Sequence, residues 1–267
     1  MNYKTALAIK RNKSGHWVGD GFPVITMLSY YADGMDISPF LLLDYAGPMD
    51  FKPSDQQRGV ETHPHRGFET VTLVYQGEVE HRDNAGNHGK IGPGDVQWMT
   101  AARGILHEEM HSRDFTQSGG TLEMIQLWVN LPAKDKMSNP HYQEIPSKTI
   151  PTINLENDTG TLRIIAGKYG NITGAAKTFT PLNLWDMRMK EEKSFSIFVP
   201  EGHNGILLVL KGQITANTED LKEKELIIFD RAGDTISIHS KEDSIVLFMS
   251  GEAINEPIAG RGPFVMN

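Results

Sequence analysis

The sequence predicts an all-β chain organised as two barrels in tandem, and three observations carry that expectation. Apolar runs of strand length are separated throughout by Gly, Pro, Asn and Asp turn signals. Helical periodicity over a dozen residues is hard to find anywhere. LVYQGEVE at 73–80 also matches LVLKGQIT at 208–215, each an apolar strand, a glycine and a resumed strand, followed by a loop and an apolar segment (VQWM, then LIIF). Short strands with regular turns argue a sandwich or barrel. The repeat argues that the barrel is duplicated.

In chain order, VITMLSY and FLLLDY are strand-length runs between the turns Gly19-Asp20-Gly21-Phe22-Pro23, Ala32-Asp33-Gly34 and Ala46-Gly47-Pro48. Asp55-Gln56-Gln57-Arg58-Gly59 reads as a loop leading into a histidine strand. FETVTLVYQGEVEHRD breaks at Gly77, Asn84-Ala85-Gly86-Asn87 turns the chain, and Ile91-Gly92-Pro93-Gly94-Asp95 punctuates before VQWMTA. ILHEEMH and TLEMIQLWVNLP follow. Residues 131–150 are polar and interrupted by Pro132, Pro140 and Pro146, which reads as a linker. Strand and turn then resume through TLRIIAG, FTPLNLWDMRM, FSIFVP, GILLVLKGQITA, KELIIFD, TISIHS and SIVLFMSG. The expected division is therefore 1–132 for the first barrel, 133–150 for the linker and 151–267 for the second barrel.

Bulk properties narrow the chemistry. The 267 residues are enough for one or two sizeable cores, and 39% hydrophobic with 22% charged residues is ordinary for a soluble globular chain. A net charge of −8 argues against a general nucleic-acid binder. The absence of cysteine excludes disulfides, thiolate ligands and thiol catalysis, so any metal must be held by His and carboxylate. The N-terminal segment has no apolar core of secretion-signal length and no stretch approaches a membrane span, so cytoplasm is the expected location and no membrane partner is expected.

The chemistry-bearing stretch is His63-Pro64-His65-Arg66-Gly67-Phe68-Glu69. In an extended chain residues two apart share a face, so His63 and His65 present two imidazoles to one side and Glu69 keeps their parity. His107 and Glu109 form a second pair of like parity about forty residues on. Imidazoles with one carboxylate suit borderline first-row metals such as iron, copper, nickel or zinc. Three neutral histidines and one carboxylate leave room for further ligands, as oxygen or a substrate oxyanion requires. The string His107-Glu108-Glu109-Met110-His111 also satisfies the zincin pattern HExxH. That site needs a helix to bring histidines four apart onto one face, and no amphipathic run carries one here.

HPHRGFETVT, GEVEHRD, GPGDVQWMTA, GILHEE and the closing NEPIAGRGPFVMN resemble the pirin family of the cupin superfamily. The general cupin pattern fits His63, His65, Glu69 and Gly77, with one residue more than usual before the glycine. The second cupin pattern fits 102–107, with Ala102 where proline is usual. The resemblance spans most of the chain and is most specific in the N-terminal half. It implies a bicupin, two jelly-roll barrels with one metal in the first, held by His63, His65, His107 and Glu109. Many cupins take the carboxylate from the position of Glu69; the closer pirin pattern points to Glu109, with Glu69 as a neighbouring or lining group. Arg66 and Gln97 are candidates to meet a substrate oxygen. The second half offers only His203 and His239 without partners, so no metal is expected there, and Trp98, Trp128, Trp185, Met99 and Met124 are expected in cores.

Two functional classes follow from the resemblance. The first is a metal-dependent dioxygenase that opens a flavonol such as quercetin with O2 and releases CO, with Glu109, or in second place Glu69, taking the substrate proton. Its cofactor is one divalent transition metal, Fe2+ first, with Cu, Ni, Mn and Zn as alternatives. Its partners are a small aromatic, flavonol-like molecule and O2, with no direct nucleic-acid contact and a monomeric chain. The second class is a metal-dependent binding protein that acts with a transcription factor or metabolic enzyme as protein partner. The open ligand set favours the enzyme.

Overall fold

Strands whose side chains alternate between two environments build two units of one topology. The computed structural model describes residues 2–11, 14–31 and 36–267; the expected turn at Ala32-Asp33-Gly34 lies outside them. Lys13–Thr149 with Ile254–Asn267 form one unit, and Met1–Asn12 with Ile150–Ala253 form the other. Each contains a seven-stranded and a four-stranded antiparallel sheet.

In the first unit the seven-stranded sheet runs, edge to edge, His141–Ile145, Val96–Thr100, Phe68–Gln76, Gly120–Asn130, Phe40–Phe51, Phe22–Ser29 and His16–Val18. The four-stranded sheet runs Gly59–His65, Ile105–His111, Val79–Asp83 and His88–Ile91. One α-helix occurs among the described residues, Arg113–Ser118, capped by the Ser112 hydroxyl, which accepts from Phe115 N. No helix among the described residues is long and apolar enough to cross a membrane.

The second unit repeats this order. Its larger sheet runs Ala6–Lys10, Leu226–Phe229, His203–Lys211, Ser244–Glu252, Leu182–Met189, Gly160–Ala166 and Thr152–Leu155; its smaller one runs Ser194–Phe198, Thr235–Ser240, Gln213–Ala216 and Glu219–Lys222. The two repeated segments occupy equivalent third places in the larger sheets. Gly77 and Gly212, the glycines of the repeat, share φ of 82°, a left-handed turn that favours glycine.

The division at 132 and 150 needs correction. The chain ends are exchanged: Ala6–Lys10 pairs with Leu226–Phe229 in the second unit, while Ala259–Arg261 and Phe264–Met266 belong to the first. Residues 133–150 are not a linker, because His141–Ile145 pairs with Val96–Thr100. The prolines there flank a strand and leave its interior free of them. Lys136 is buried with its ammonium donating to Gly67 O, Asn130 Oδ1 and Val265 O at 2.7–2.9 Å. That clamp joins the supposed linker, the start of strand Phe68–Gln76 and the C-terminal tail.

The interiors of the two units differ. In the second, Ile197, Ile214, Leu207, Val209, Ile236, Ile238, Trp185 and Phe248 belong to one buried apolar cluster. Ile197 stands opposite Ile236 on the strand pair equivalent to the one that carries His63 opposite His107. His239 faces the Ser194 hydroxyl at 3.1 Å, and His203 is partly buried at a strand start. Neither histidine belongs to that cluster, which fills the second interior with hydrocarbon.

Candidate metal centre

His63 and His65 alternate with Pro64 on strand Gly59–His65, and His107 lies opposite His63 on the neighbouring strand Ile105–His111. Parity turns residues 105, 107, 109 and 111 inward; all four are buried. One ring nitrogen from each of His63, His65 and His107 lies within 4.8 Å of the others. His63 Nδ1 is 2.8 Å from Glu61 O. A carbonyl only accepts, so Nδ1 carries the hydrogen and Nε2 presents a lone pair. That Nε2 is 3.1 Å from His65 Nε2, a separation at which the two nitrogens share a proton or an ion. His107 Nε2 is buried with no hydrogen-bond partner among the described residues. Burial, followed by the neighbouring imidazoles, pushes His65 down to about 3 and His107 well below the ordinary histidine range. Both rings are neutral at pH 7, as ligation of a cation requires. The donor set fits a borderline divalent metal.

Glu109 lies close by but outside the three-histidine group. A register shift between His107 and Glu109 sets His107 opposite His63 and Glu109 opposite Val60. The carboxylate is held from the larger sheet, with Oε1 3.1 Å from Thr72 Oγ1 and 3.3 Å from Gln97 Nε2. These residues belong to a polar row in direct register across five strands: Thr26, Asp44, Gln126, Thr72 and Gln97. Below it Phe22, Phe51, Phe115, Leu122 and Met124 form an apolar base. Beside His65 stand Phe68 and Trp128, with ring centroids 5.2 and 5.3 Å from its own and 4.4 Å from each other. The centre thus has an aromatic wall, and half-buried His63 marks its more accessible side.

Glu69 does not join this group, which corrects its reading as a lining or proton-accepting residue. Strand Gly59–His65 ends before Arg66 and Gly67, and Gly67 adopts φ 88°. The alternation slips there by one residue, so Phe68 and Thr72, not Glu69, share the histidine side. Glu69 points to the opposite face, where it accepts from Thr100 Oγ1 at 2.7 Å. It is almost wholly enclosed, and burial pushes its carboxyl up to about 7 against the opposing hydrogen bond from Thr100.

The other sequence candidates divide. Gln97 is fully buried and holds Glu109; Arg66 donates to Met137 Sδ at 3.3 Å. His111, the second histidine of HExxH, lies on a strand, packs against Phe22, Phe51 and Phe115, and its Nε2 is 2.8 Å from Gly21 O. The zincin geometry is absent from this strand. Trp98, Trp185, Met99 and Met124 are buried, and Trp128 is partly buried on the aromatic wall. Sequence reasoning passed over His81, Asp83 and Tyr142. His81 is buried, its Nδ1 3.3 Å from His107 Nδ1 and its Nε2 3.2 Å from Asp83 Oδ2, and Tyr142 stacks on it at 4.8 Å. The available signal was the alternation of His81 and Asp83 within GEVEHRD.

Comparison with known proteins agrees with this architecture. The pirin family model matches residues 21–129, and the model of the pirin C-terminal cupin domain matches 184–267. A Pseudomonas aeruginosa protein with a provisional quercetin 2,3-dioxygenase name is 53% identical over 99% of this chain and 92% of its own. Human pirin is 35% identical over 87% of this chain and 78% of its own. The crystal structure of a quercetin 2,3-dioxygenase from Acinetobacter baumannii superposes with TM-score 0.95 at 50% identity, covering 99% of this chain and 92% of that one. The chain belongs to the pirin family and has its two-cupin fold.

Proposed function

We propose that this pirin is a metal-dependent dioxygenase acting on a flavonol-like substrate, opening its ring with O2 and releasing CO. One observation carries the reading: three inward imidazoles within 4.8 Å of one another, with His107 Nε2 buried and unpartnered, stand beside an aromatic wall. The relatives named as quercetin 2,3-dioxygenases support the substrate class. In this reading His63, His65, His107 and Glu109 would hold one divalent ion, Fe2+ first among the candidates. When bound, the ion supplies Lewis acidity that lowers the pKa of a substrate hydroxyl. Trp128, partly buried and backed by Phe68, offers an apolar face to an aromatic ring system. Glu109 takes the hydroxyl proton, and Thr72 and Gln97 aim its carboxylate. The apolar base keeps bulk water from that end of the interior.

A second reading, a metal-dependent binding protein, draws on exposed Leu106, Met137 and Phe264. All three partner residues 64–66, through the Pro64 register, the Arg66 guanidinium and a backbone bridge respectively. Anaerobic loading of metal-free protein with Fe2+, Cu2+, Ni2+ or Mn2+, followed by quercetin turnover in air, separates the two. The dioxygenase reading expects CO release equal to quercetin consumed with at least one ion. No turnover with any of the four would contradict it and favour the binding protein.

A further inference from the structure

The hydrogen bonds behind His107 lead away from the histidine cluster to a turn. Asp83 closes the hairpin between Val79–Asp83 and His88–Ile91, where its Oδ1 accepts from the backbone N–H groups of Ala85 and Asn87 at 2.9 Å each. The Asn87 side-chain amide donates to Oδ2 at 2.9 Å. So many converging donors make Asp83 an acceptor, and its Oδ2 lies 3.2 Å from His81 Nε2. His81 Nε2 therefore carries the hydrogen and His81 Nδ1 presents a lone pair. The Gln97 amide at 3.4 Å also turns toward that lone pair.

His81 Nδ1 faces His107 Nδ1 at 3.3 Å. With His81 Nδ1 supplying the lone pair, a hydrogen bond across this contact requires His107 Nδ1 to carry the hydrogen. The remaining nitrogen, His107 Nε2, is then the free lone pair, and it is buried without a partner among the described residues. We propose that Asp83 and His81 are positioning residues that hold His107 in its Nδ1–H tautomer, so that Nε2 is ready for a divalent ion. The proposal rests on the metal-centre reading above. Ligating histidines commonly donate their second nitrogen to a carboxylate; here one imidazole is interposed between the two. Register supports the path, since His81 stands opposite Glu109 and Asp83 opposite His107 on adjacent strands. Tyr142, stacked on His81 at an interplanar angle of 17°, fixes its ring plane.

The variant Asp83→Asn tests the relay, because an amide can keep the turn while its NH2 faces His81 Nε2. His81 must then present a lone pair at Nε2 and a hydrogen at Nδ1, and His107 is turned to the Nε2–H form. Long-range proton–nitrogen NMR of metal-free protein labelled at histidine reads the tautomer, and Ni2+ titration reads the affinity. The parent is expected to show His107 Nδ1–H, and Asp83→Asn to show Nε2–H with Ni2+ affinity about 10–100-fold lower. His81→Phe is expected to lose affinity by a similar factor. His107 found as Nε2–H in the parent would overturn the proposal, even if no variant folded. So would a folded Asp83→Asn with unchanged tautomer or unchanged affinity. A parent that binds no Ni2+ yet shows Nδ1–H would overturn the metal reading and leave the relay standing as a hydrogen-bonded chain.

Discussion

The Thr72 hydroxyl stands 3.1 Å from Glu109 Oε1, and this contact sets Glu109 apart from Glu69. Glu69, three residues earlier on the same strand, faces the other way and meets Thr100 instead. The strand thus divides a carboxylate beside the histidines from one with no access to them.

Activity should follow that division. Glu109→Gln keeps the side chain's size but cannot accept a proton, and turnover is expected to fall about 10²–10⁴-fold. Glu69→Gln is expected to change turnover by less than about threefold, since surrounding packing is kept. Steady-state rates of both variants in the metal-loaded state check this. Equal losses would contradict the assignment.

Stability should register Glu69 through pH. Its carboxyl is raised from 4.5 in the unfolded chain to about 7 in the fold. The folded state therefore holds the proton more tightly, and the associated stability is full below pH 4.5 and lost as pH rises through 7. At about 1.4 kcal/mol per pH unit, the loss across the window is about 3 kcal/mol. Glu69→Gln removes this dependence, so its stability relative to the parent should improve by about that amount between pH 4.5 and pH 8. Urea unfolding of both proteins at the two pH values measures it, and parallel curves would contradict it.

The buried ammonium of Lys136 should matter as much as any core side chain. Lys136→Met leaves the acceptors Gly67 O, Asn130 Oδ1 and Val265 O without their donor. The expected cost is about 2–3 kcal/mol, accompanied by faster proteolysis of the 255–267 tail. A change in unfolding free energy below about 0.5 kcal/mol would show that the clamp is dispensable.

Much of this site was legible because strand alternation is local. His63 with His65, and His107 with Glu109, each share a face for the reason their spacing indicates, and the absence of a helical run disposed of HExxH. Glu69 was misread because parity was carried across Gly67, where a positive φ resets the phase. Lys136 was hidden in a polar, proline-marked stretch whose acceptors lie 6 to 129 residues away in sequence. The exchange of chain ends and the approach of His81 to His107 are long-range pairings, which no local pattern encodes.

The central claim is a single metal centre, in the first unit, built on His63, His65 and His107. Metal content of protein loaded with Ni2+ and freed of excess tests it most directly, with the parent, His63→Ala, His107→Ala and the second-unit variant His203→Ala measured side by side. The expected result is one ion per chain in the parent and in His203→Ala, and none in folded His63→Ala and His107→Ala. Full occupancy in either of those two variants, or two ions per parent chain, would contradict it.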